Sequence, residues 1–246
     1  MNAAAPRLGL ICAASHTPTL QRCLLQSPSL VQPNYPFIIR YGVDNAAAAF
    51  HAVYLEPAPV DWWVWVHQDV LLPGPDWLAR LRRHLQQALV LWPHLAVAGA
   101  YGISRDGHRA GRILDRGHMR HEPCPLPVLA QSLDEMLLLV RASSALRMDA
   151  ALGFDFYGTD LVLQAEQNGW QAAVLDIECE HWSATPLEPP YADALIDRIA
   201  RSASAFERKW QHRLPVITPC IHFERVGAAQ QLAQQLRSSQ NQSAAP

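Results

Sequence analysis

One short segment constrains the fold of this 246-residue chain more than any other. Residues Trp62–Val66 form a continuous apolar run, bounded by Asp61 on one side and by the polar triplet His67, Gln68 and Asp69 on the other. A strand with one face in water alternates apolar and polar residues, whereas a strand covered on both faces is apolar throughout. The run therefore predicts a central parallel strand, with polar side chains at its carboxyl end.

Strand and helix patterns alternate along the rest of the chain. Further strands are predicted at Leu8–Ala14, Phe37–Tyr41, 95–103, 136–140 and 171–177. Apolar residues recur at spacings of three and four over residues 76–92, and residues 159–168 end at Gly169, so both segments predict helices. This alternation is typical of an α/β domain, with a mostly parallel central sheet flanked by helices.

The domain is predicted to span residues 7–210, as a single unit. Residues 211–246 form a C-terminal extension, and its Gln-, Ser- and Ala-rich end is typical of a frayed helix or a disordered tail. Residues 104–127 are rich in Arg, His and Gly and contain three prolines. They predict a long polar loop, which is either a solvated surface or a mobile lid.

Composition excludes several classes of protein. Half of the residues are hydrophobic and 17% are charged, which excludes a mainly disordered chain. The 20 basic and 22 acidic side chains leave a net charge of −2, without the cationic surplus that nucleic-acid binding requires.

The uncharged stretch at residues 84–104 contains two glutamines and a proline, so no transmembrane segment is expected. The apolar run near the amino terminus is too short for a secretory signal, and a cytoplasmic location is predicted.

Two polar residues at strand ends are candidate metal ligands. Asp69 follows Trp62–Val66, and His181 follows the strand predicted at 171–177. Ligands of open α/β sheets bind outside the carboxyl ends of the strands, where a carboxylate and an imidazole can hold a divalent cation. The alternative is that Asp69 caps the following turn and that His181 is an ordinary histidine at a sheet edge.

Three blocks of sequence together resemble glycosyltransferase family 2-like proteins with the GT-A fold. The blocks are DWWVWVHQDVLLPGPDWLARL at 61–81, SLDEMLLLVR at 132–141 and FDFYGTDLVLQAEQNGWQAAVLDIECEHWS at 154–183. The resemblance implies a nucleotide-sugar donor and a divalent cation, Mn²⁺ or Mg²⁺. It also implies inverting transfer to the hydroxyl of a glycan, a lipid-linked or a small-molecule acceptor.

The resemblance implies roles for residues at matching positions. Asp69 and His181 match metal ligands, and His67, Gln68 and Asp69 are expected to bind the donor nucleotide. His67 stands where relatives carry the first acidic residue of an Asp-x-Asp motif. Asp160 matches the general base that takes the proton of the acceptor hydroxyl.

Acceptor contacts are predicted for Asp134, Tyr157 and Trp182.

Two acidic residues of the family pattern are replaced in this chain. His67 replaces one on the donor side, and Thr159 replaces the one that precedes the predicted base Asp160. These replacements favour an alternative function, that of a catalytically degenerate protein that binds a nucleotide or a glycan without turnover. A second alternative is a metal-dependent hydrolase that uses Asp69, His181 and the histidines of residues 104–127.

Overall fold

The structure is a computed structural model that describes residues 5–31, 35–54 and 59–243. Its strands are β1 (Leu8–Ala14), β2 (Phe37–Tyr41), β3 (Trp62–Val66), β4 (Val70–Leu71), β5 (Leu95–Gly99), β6 (Tyr101–Ser104), β7 (Arg109–Asp115), β8 (His118–His121), β9 (Val128–Leu133), β10 (Leu137–Arg141), β11 (Gln171–Val174), β12 (Cys179–His181), β13 (Val216–Ile217) and β14 (His222–Phe223). Its α-helices are α1 (Thr17–Arg22), α2 (Ala46–Phe50), α3 (Trp77–Leu91), α4 (Tyr157–Gln167), α5 (Asp193–Trp210) and α6 (Ala228–Ser243).

Strand β3 lies inside the sheet, as its apolar sequence predicts. It is parallel to β1 and antiparallel to β10, and all five of its residues are buried. Trp63 and Trp65 contribute to the core on one face of the sheet, and Trp62, Val64 and Val66 contribute to the core on the other. Because alternate side chains enter two cores, the strand is covered on both faces.

The large sheet is mixed, so the prediction of a mostly parallel sheet is wrong. Its twelve strands follow the order β2-β1-β3-β10-β5-β11-β9-β6-β7-β12-β4, and β8 pairs with β7. Strand β1 is parallel to β2 and β3, β5 to β11, and β7 to β12. The other neighbouring pairs of this sheet are antiparallel.

A tight turn closes one of these antiparallel pairs. Strands β7 and β8 are joined by Arg116 and Gly117 alone, with φ angles of 50° and 81°. Positive φ at both central residues is the backbone pattern of the two-residue turns that close hairpins. The prediction of a loop over residues 104–127 is therefore wrong, because strands β7 and β8 within it belong to the sheet.

Helices pack on both faces of the sheet. Helices α1 and α3 cover one face through Leu20, Trp77, Leu81 and Leu85. Helices α2, α4 and α5 cover the other face, where side chains of β13, β14 and the start of α6 join the same core. The fold is thus an α/β domain with three layers.

Helix α6 begins in the Gln-rich segment and continues to residue 243 in the described part of the chain. The proposed boundary at residue 210 stays a prediction. None of the helices that the structure describes combines the length and the apolar character needed to cross a membrane.

Candidate metal centre

Three side chains meet where β3 and β12 end. His67 follows β3, Asp69 lies two residues further, and His181 is the last residue of β12. The Asp69 Oδ1 atom lies 3.9 Å from His67 Nδ1 and 3.7 Å from His181 Nε2. One ligand atom from each residue lies within 4.8 Å of the other two. The structure therefore brings together Asp69 and His181, as their positions at strand ends predict, and adds His67.

Backbone pairing fixes this arrangement. Strand β4 is antiparallel to β12, with Val70 opposite His181. The amide of Trp182 donates a 2.8 Å hydrogen bond to the carbonyl of Asp69, and the amide of His67 donates a 3.0 Å bond to the carbonyl of Met136. The three side chains are thus held by the sheet rather than by a free loop.

Asp115 orients the imidazole of His181. The Nδ1 atom of His181 lies 3.0 Å from Asp115 Oδ1, and Arg116 and Arg120 also contact this carboxylate. Burial opposes the charge on Asp115, but hydrogen bonds from His181 and Arg116 hold its pKa well below the usual range. An ionised carboxylate only accepts, so Nδ1 carries a proton and Nε2 faces Asp69.

Negative charge dominates around His181. Burial alone lowers the pKa of His181. The hydrogen bond to Asp115 and the nearby charges of Asp69 and Asp134 raise this pKa by more, so the net shift is upward. The surroundings of Nε2 therefore favour a positive charge. A proton or a metal cation meets that condition.

Tyr157 fixes the imidazole of His67 in a comparable way. Its hydroxyl oxygen accepts a 3.0 Å hydrogen bond from Trp65 Nε1 and lies 2.5 Å from His67 Nε2 and 3.4 Å from the carbonyl of Glu135. If the hydroxyl donates to the Glu135 carbonyl, its second lone pair accepts a hydrogen bond from the N–H group at His67 Nε2. The Nδ1 lone pair of His67 then faces Asp69. Burial lowers the pKa of His67 and favours the neutral form that binds metals.

The local backbone explains the position of Tyr157. Helix α4 begins after Phe156, which has a φ of 62°, and its second residue is Gly158. A Cβ atom at Gly158 would lie 2.5 Å from the carbonyl oxygen of Leu133. This close approach to the end of β9 sets the first turn of α4, and with it the Tyr157 hydroxyl, beside the turn before β10.

Asp69 provides the test of whether these residues fit a cation. Its Oδ1 atom is buried, yet no described residue donates a hydrogen bond to it. A buried acceptor without a donor is costly, and two imidazole nitrogens face the same oxygen. A divalent cation bound by the three atoms removes this cost, so the ligand set fits a metal.

Gln68 connects two strand ends. Its Oε1 atom accepts hydrogen bonds of 3.0 and 2.9 Å from the amides of Ser15 and His16, and its Nε2 atom donates to Ser15 Oγ. The side chain thus holds the segment after β1 against the segment after β3. A donor-nucleotide contact of His67, Gln68 and Asp69 stays a prediction.

The predicted acceptor residues occupy different surroundings. Asp134 is partly exposed, and its Oδ1 atom accepts a 3.0 Å hydrogen bond from the amide of Met136. The Trp182 indole donates a 3.1 Å bond to Glu180, whose side chain alternates with that of His181 along β12. This bond draws the indole away from the metal-ligating face. The acceptor roles of Asp134, Tyr157 and Trp182 stay predictions.

The surroundings of Asp160 do not support the predicted role of general base. The residue is fully buried, and its carboxylate contacts Lys209 Nζ at 2.7 Å, Trp210 Nε1 at 2.8 Å and Gln164 Nε2 at 2.6 Å. A general base must lie within hydrogen-bond distance of the substrate proton, directly or through one water. Asp160 has no exposed surface, so in this arrangement it anchors α5 to α4.

Sequence reasoning missed Asp115 because it assigned residues 104–127 to a loop. The available signal was weak: β7 contains only two large apolar residues, Ile113 and Leu114, and the Arg-Gly dipeptide at 116–117 is the turn signal after them. The histidines of this segment, at 108, 118 and 121, are not part of the cluster found among the described residues. The metal-dependent hydrolase that needed them therefore loses its main support.

Comparisons with known proteins give a fold but no family. No protein-family model matches the chain. A protein of Fuscovulum blasticum named "ATP synthase subunits region ORF 6" is 27% identical over 156 residues, which are 60% of this chain and 59% of that protein. A mannosyltransferase from Pyrobaculum calidifontis, solved in complex with GDP-Man and Mn²⁺, has a TM-score of 0.51 at 13% identity.

The comparison with the mannosyltransferase covers 84% of this chain and 65% of the other protein. The chain therefore spans less than two thirds of the length of either relative. At 13% identity, the structural similarity bears on the fold alone. The chain is an α/β domain with a fold similar to that of a glycosyltransferase.

Proposed function

We propose that this protein is a glycosyltransferase that takes its sugar from a nucleoside diphosphate sugar and requires a divalent cation. The observation that carries the proposal is the convergence of His67, Asp69 and His181, with a buried carboxylate oxygen that lacks a donor among the described residues. The similar fold of a mannosyltransferase solved with GDP-Man and Mn²⁺ supports the same reading.

The three residues would hold the cation at the donor side of the site. When bound there, a divalent cation supplies positive charge that stabilises the departing diphosphate. Asp115 and Tyr157 keep the two imidazoles oriented through their second nitrogens. The chain itself thus supplies a fixed ligand set, which costs less reorganisation than a mobile one.

The acceptor hydroxyl must also lose a proton. In our proposal, the turn between β9 and β10 provides the carboxylate, because Asp134 and Glu135 are partly exposed and adjoin the contacts of Tyr157. Burial, and then the charges of Asp134 and Asp155, raise the pKa of Glu135 well above its ordinary value. A carboxylate with a raised pKa is a stronger base once ionised. Direct attack by the acceptor at the sugar carbon inverts its configuration.

The degenerate alternative keeps one specific observation in its favour. Thr159 is buried with its hydroxyl 3.2 Å from Ser132 Oγ, and Asp160 is bound to Lys209 and Trp210. Neither position offers a free carboxylate where the family resemblance places the base. If Glu135 and Asp134 do not take that role, the protein binds its donor without transfer.

Turnover measured with a panel of nucleotide sugars tests the proposal. Release of nucleoside diphosphate is measured with UDP-, GDP-, CDP- and dTDP-sugars in Mn²⁺ and in EDTA, with and without acceptors. We expect release in Mn²⁺ only, and a loss of about 100-fold or more in Asp69→Asn. The matched control is Asp106→Asn, which makes the same change at an exposed turn position. Donor binding without release of nucleoside diphosphate supports the degenerate alternative. If the protein neither binds nor releases any of these donors, the proposal is contradicted.

A further inference from the structure

We propose that the His67, Asp69 and His181 site selects a transition-metal ion that favours imidazole ligands, such as Co²⁺ or Zn²⁺, and discriminates against Mg²⁺. The inference deepens the proposed function and rests on it, because that function gives the cation its role. The identity of the metal can nevertheless be measured without any sugar donor.

The chemistry of the ligand atoms carries the inference. The site offers two imidazole nitrogens and one carboxylate oxygen, at separations that suit a shared ion. Imidazole suits Zn, Cu, Fe and Ni, whereas carboxylate, carbonyl and water oxygens suit Mg, Ca and Mn. Mg²⁺ also demands nearly ideal octahedral geometry and gives up its water reluctantly. A site with a single carboxylate therefore holds Mg²⁺ weakly.

In each imidazole, one ring nitrogen has a hydrogen-bond partner and the other is left free to bind a metal. His181 Nδ1 donates to Asp115, and His67 Nε2 lies against the Tyr157 hydroxyl. Metal-binding histidines typically donate their other N–H group to such a partner. Neither ring can turn to another contact without breaking its bond, so both free nitrogens stay aimed at Asp69.

Asp115 does not compete as a second carboxylate ligand. Arg116 lies 2.7 Å and Arg120 3.3 Å from its Oδ2 atom, and His181 contacts Oδ1. Two guanidinium groups and an imidazole already use its oxygens. The charge that reaches the cation directly is therefore that of Asp69.

His67 is the residue that sets the selectivity. Replacing it with aspartate gives a ligand set of one imidazole and two carboxylates, which is closer to the preference of Mg²⁺. Most N/O sites bind Zn²⁺ more tightly than Mn²⁺, so the order of those two ions is not diagnostic. The diagnostic quantity is the ratio of the Co²⁺ or Zn²⁺ affinity to the Mg²⁺ affinity, compared between the wild type and His67→Asp.

The experiment uses the full chain after removal of metals with a chelator. MnCl₂, CoCl₂, ZnCl₂ and MgCl₂ are titrated calorimetrically without nucleotide, and Co²⁺ binding is followed by its visible absorption. The variants are His67→Asp, Tyr157→Phe and His222→Asp. The last is the matched control, because His222 is exposed on β14, outside the large sheet. Melting temperatures report whether each variant is folded.

We expect the ratio of Co²⁺ to Mg²⁺ affinity to fall at least about 10-fold in His67→Asp and to stay unchanged in His222→Asp. Tyr157→Phe keeps the ring and removes the hydroxyl, so Mn²⁺ and Co²⁺ affinity should fall about 10- to 100-fold. It supplies the test if His67→Asp does not fold. Equal affinity of the wild type for Mg²⁺ and Co²⁺, or an unchanged affinity in Tyr157→Phe, overturns the inference.

The same data separate this inference from the proposed function. A protein that binds Co²⁺ and Zn²⁺ in preference to Mg²⁺ but releases no nucleoside diphosphate supports the metal selectivity and contradicts the transferase. A protein that turns over nucleotide sugars and binds Mg²⁺ as tightly as Co²⁺ contradicts the selectivity alone.

Discussion

The Oδ1 atom of Asp115 lies 3.0 Å from the Nδ1 atom of His181, so a buried carboxylate on β7 orients an imidazole on β12. The two strands are parallel neighbours, with Asp115 directly opposite His181. Arg116 and Arg120 hold the same carboxylate from the turn and from β8. The β7–β8 hairpin is therefore part of the support of the candidate metal site.

Replacing Asp115 with asparagine should weaken metal binding. We expect Mn²⁺ affinity to fall about 10- to 100-fold, because the amide is a poorer acceptor for His181 Nδ1 and no longer fixes its tautomer. Calorimetric titration measures the change, and Asp106→Asn is the control. Loss of charge-assisted hydrogen bonds should also lower stability by about 1.5–3 kcal/mol. An unchanged Mn²⁺ affinity in the folded variant would show that Asp115 serves the hairpin only.

Asp160→Asn should change stability more than chemistry. The side chain is buried against Lys209 and Trp210, and loss of its charge leaves Lys209 with Asp149 as its remaining ion-pair partner. We expect the free energy of unfolding to fall by about 1–3 kcal/mol. Turnover per folded molecule should stay within about 3-fold of the wild type. Denaturant unfolding and kinetics on the same samples measure both, and lost turnover with intact stability would restore Asp160 as the base.

Glu135 should give the reaction a pH dependence. Its pKa is raised well above the ordinary value by burial and by nearby charges, so it is protonated, and inactive as a base, at pH values below that pKa. The charges of Asp134 and Asp155 act on Glu135, and Arg198 contacts Asp155 in turn. Burial raises the pKa of Tyr157 and of Cys220, which face Glu135, and the charge of Glu135 raises both further. The value of kcat/KM should therefore rise with pH and reach a plateau above the raised pKa.

Glu135→Gln tests this assignment. The variant should lose about 10²- to 10⁴-fold in kcat/KM and should lose the rise with pH, measured at saturating Mn²⁺. Glu224→Gln is the control, since Glu224 is exposed just beyond β14, outside the large sheet. A Glu135→Gln enzyme that keeps the wild-type pH profile would contradict the role of Glu135.

Amides of the β7–β8 hairpin should exchange slowly in the free protein. Residues 109–115 pair with β6, β8 and β12, and such amides open only with their sheet. Hydrogen exchange followed by mass spectrometry measures this, with the turn at residues 105–108 as an internal reference. Exchange over 109–121 as fast as at the turn, slowed by a nucleotide sugar, would instead support a mobile lid.

The positions of many strands follow from local sequence, but the parallel or antiparallel pairing of those strands does not. Strand β3 is an unbroken apolar run, so its burial on both faces can be predicted from residues 62–66 alone. Strand β8 consists of His118, Met119, Arg120 and His121, which carry no apolar alternation. Its pairing depends on the turn at Arg116 and Gly117 and on the salt bridge from Arg120 to Asp115.

The candidate site also combines residues that the sequence reveals with contacts that it does not. Asp69 can be found from the sequence because it follows an apolar strand. His181 can be found because it follows the strand predicted at 171–177, although in the structure it ends the separate strand β12. The surroundings of Asp160 depend on Lys209 and Trp210, about 50 residues further along the chain, and no local pattern reveals that contact. Asp115 was hidden for a similar reason, since its partner His181 lies 66 residues away.

The most direct test of the account is the linkage between a metal and a nucleotide at Asp69. UDP, GDP, CDP and dTDP are titrated calorimetrically into the wild type and Asp69→Asn, each in Mn²⁺ and in EDTA, with melting temperatures as the check on folding. The account predicts that at least one nucleotide binds the wild type about 10-fold or more tightly in Mn²⁺ than in EDTA, and that Asp69→Asn removes this difference. Equal affinity in Mn²⁺ and EDTA for all four nucleotides, or a metal effect that persists in folded Asp69→Asn, would contradict it.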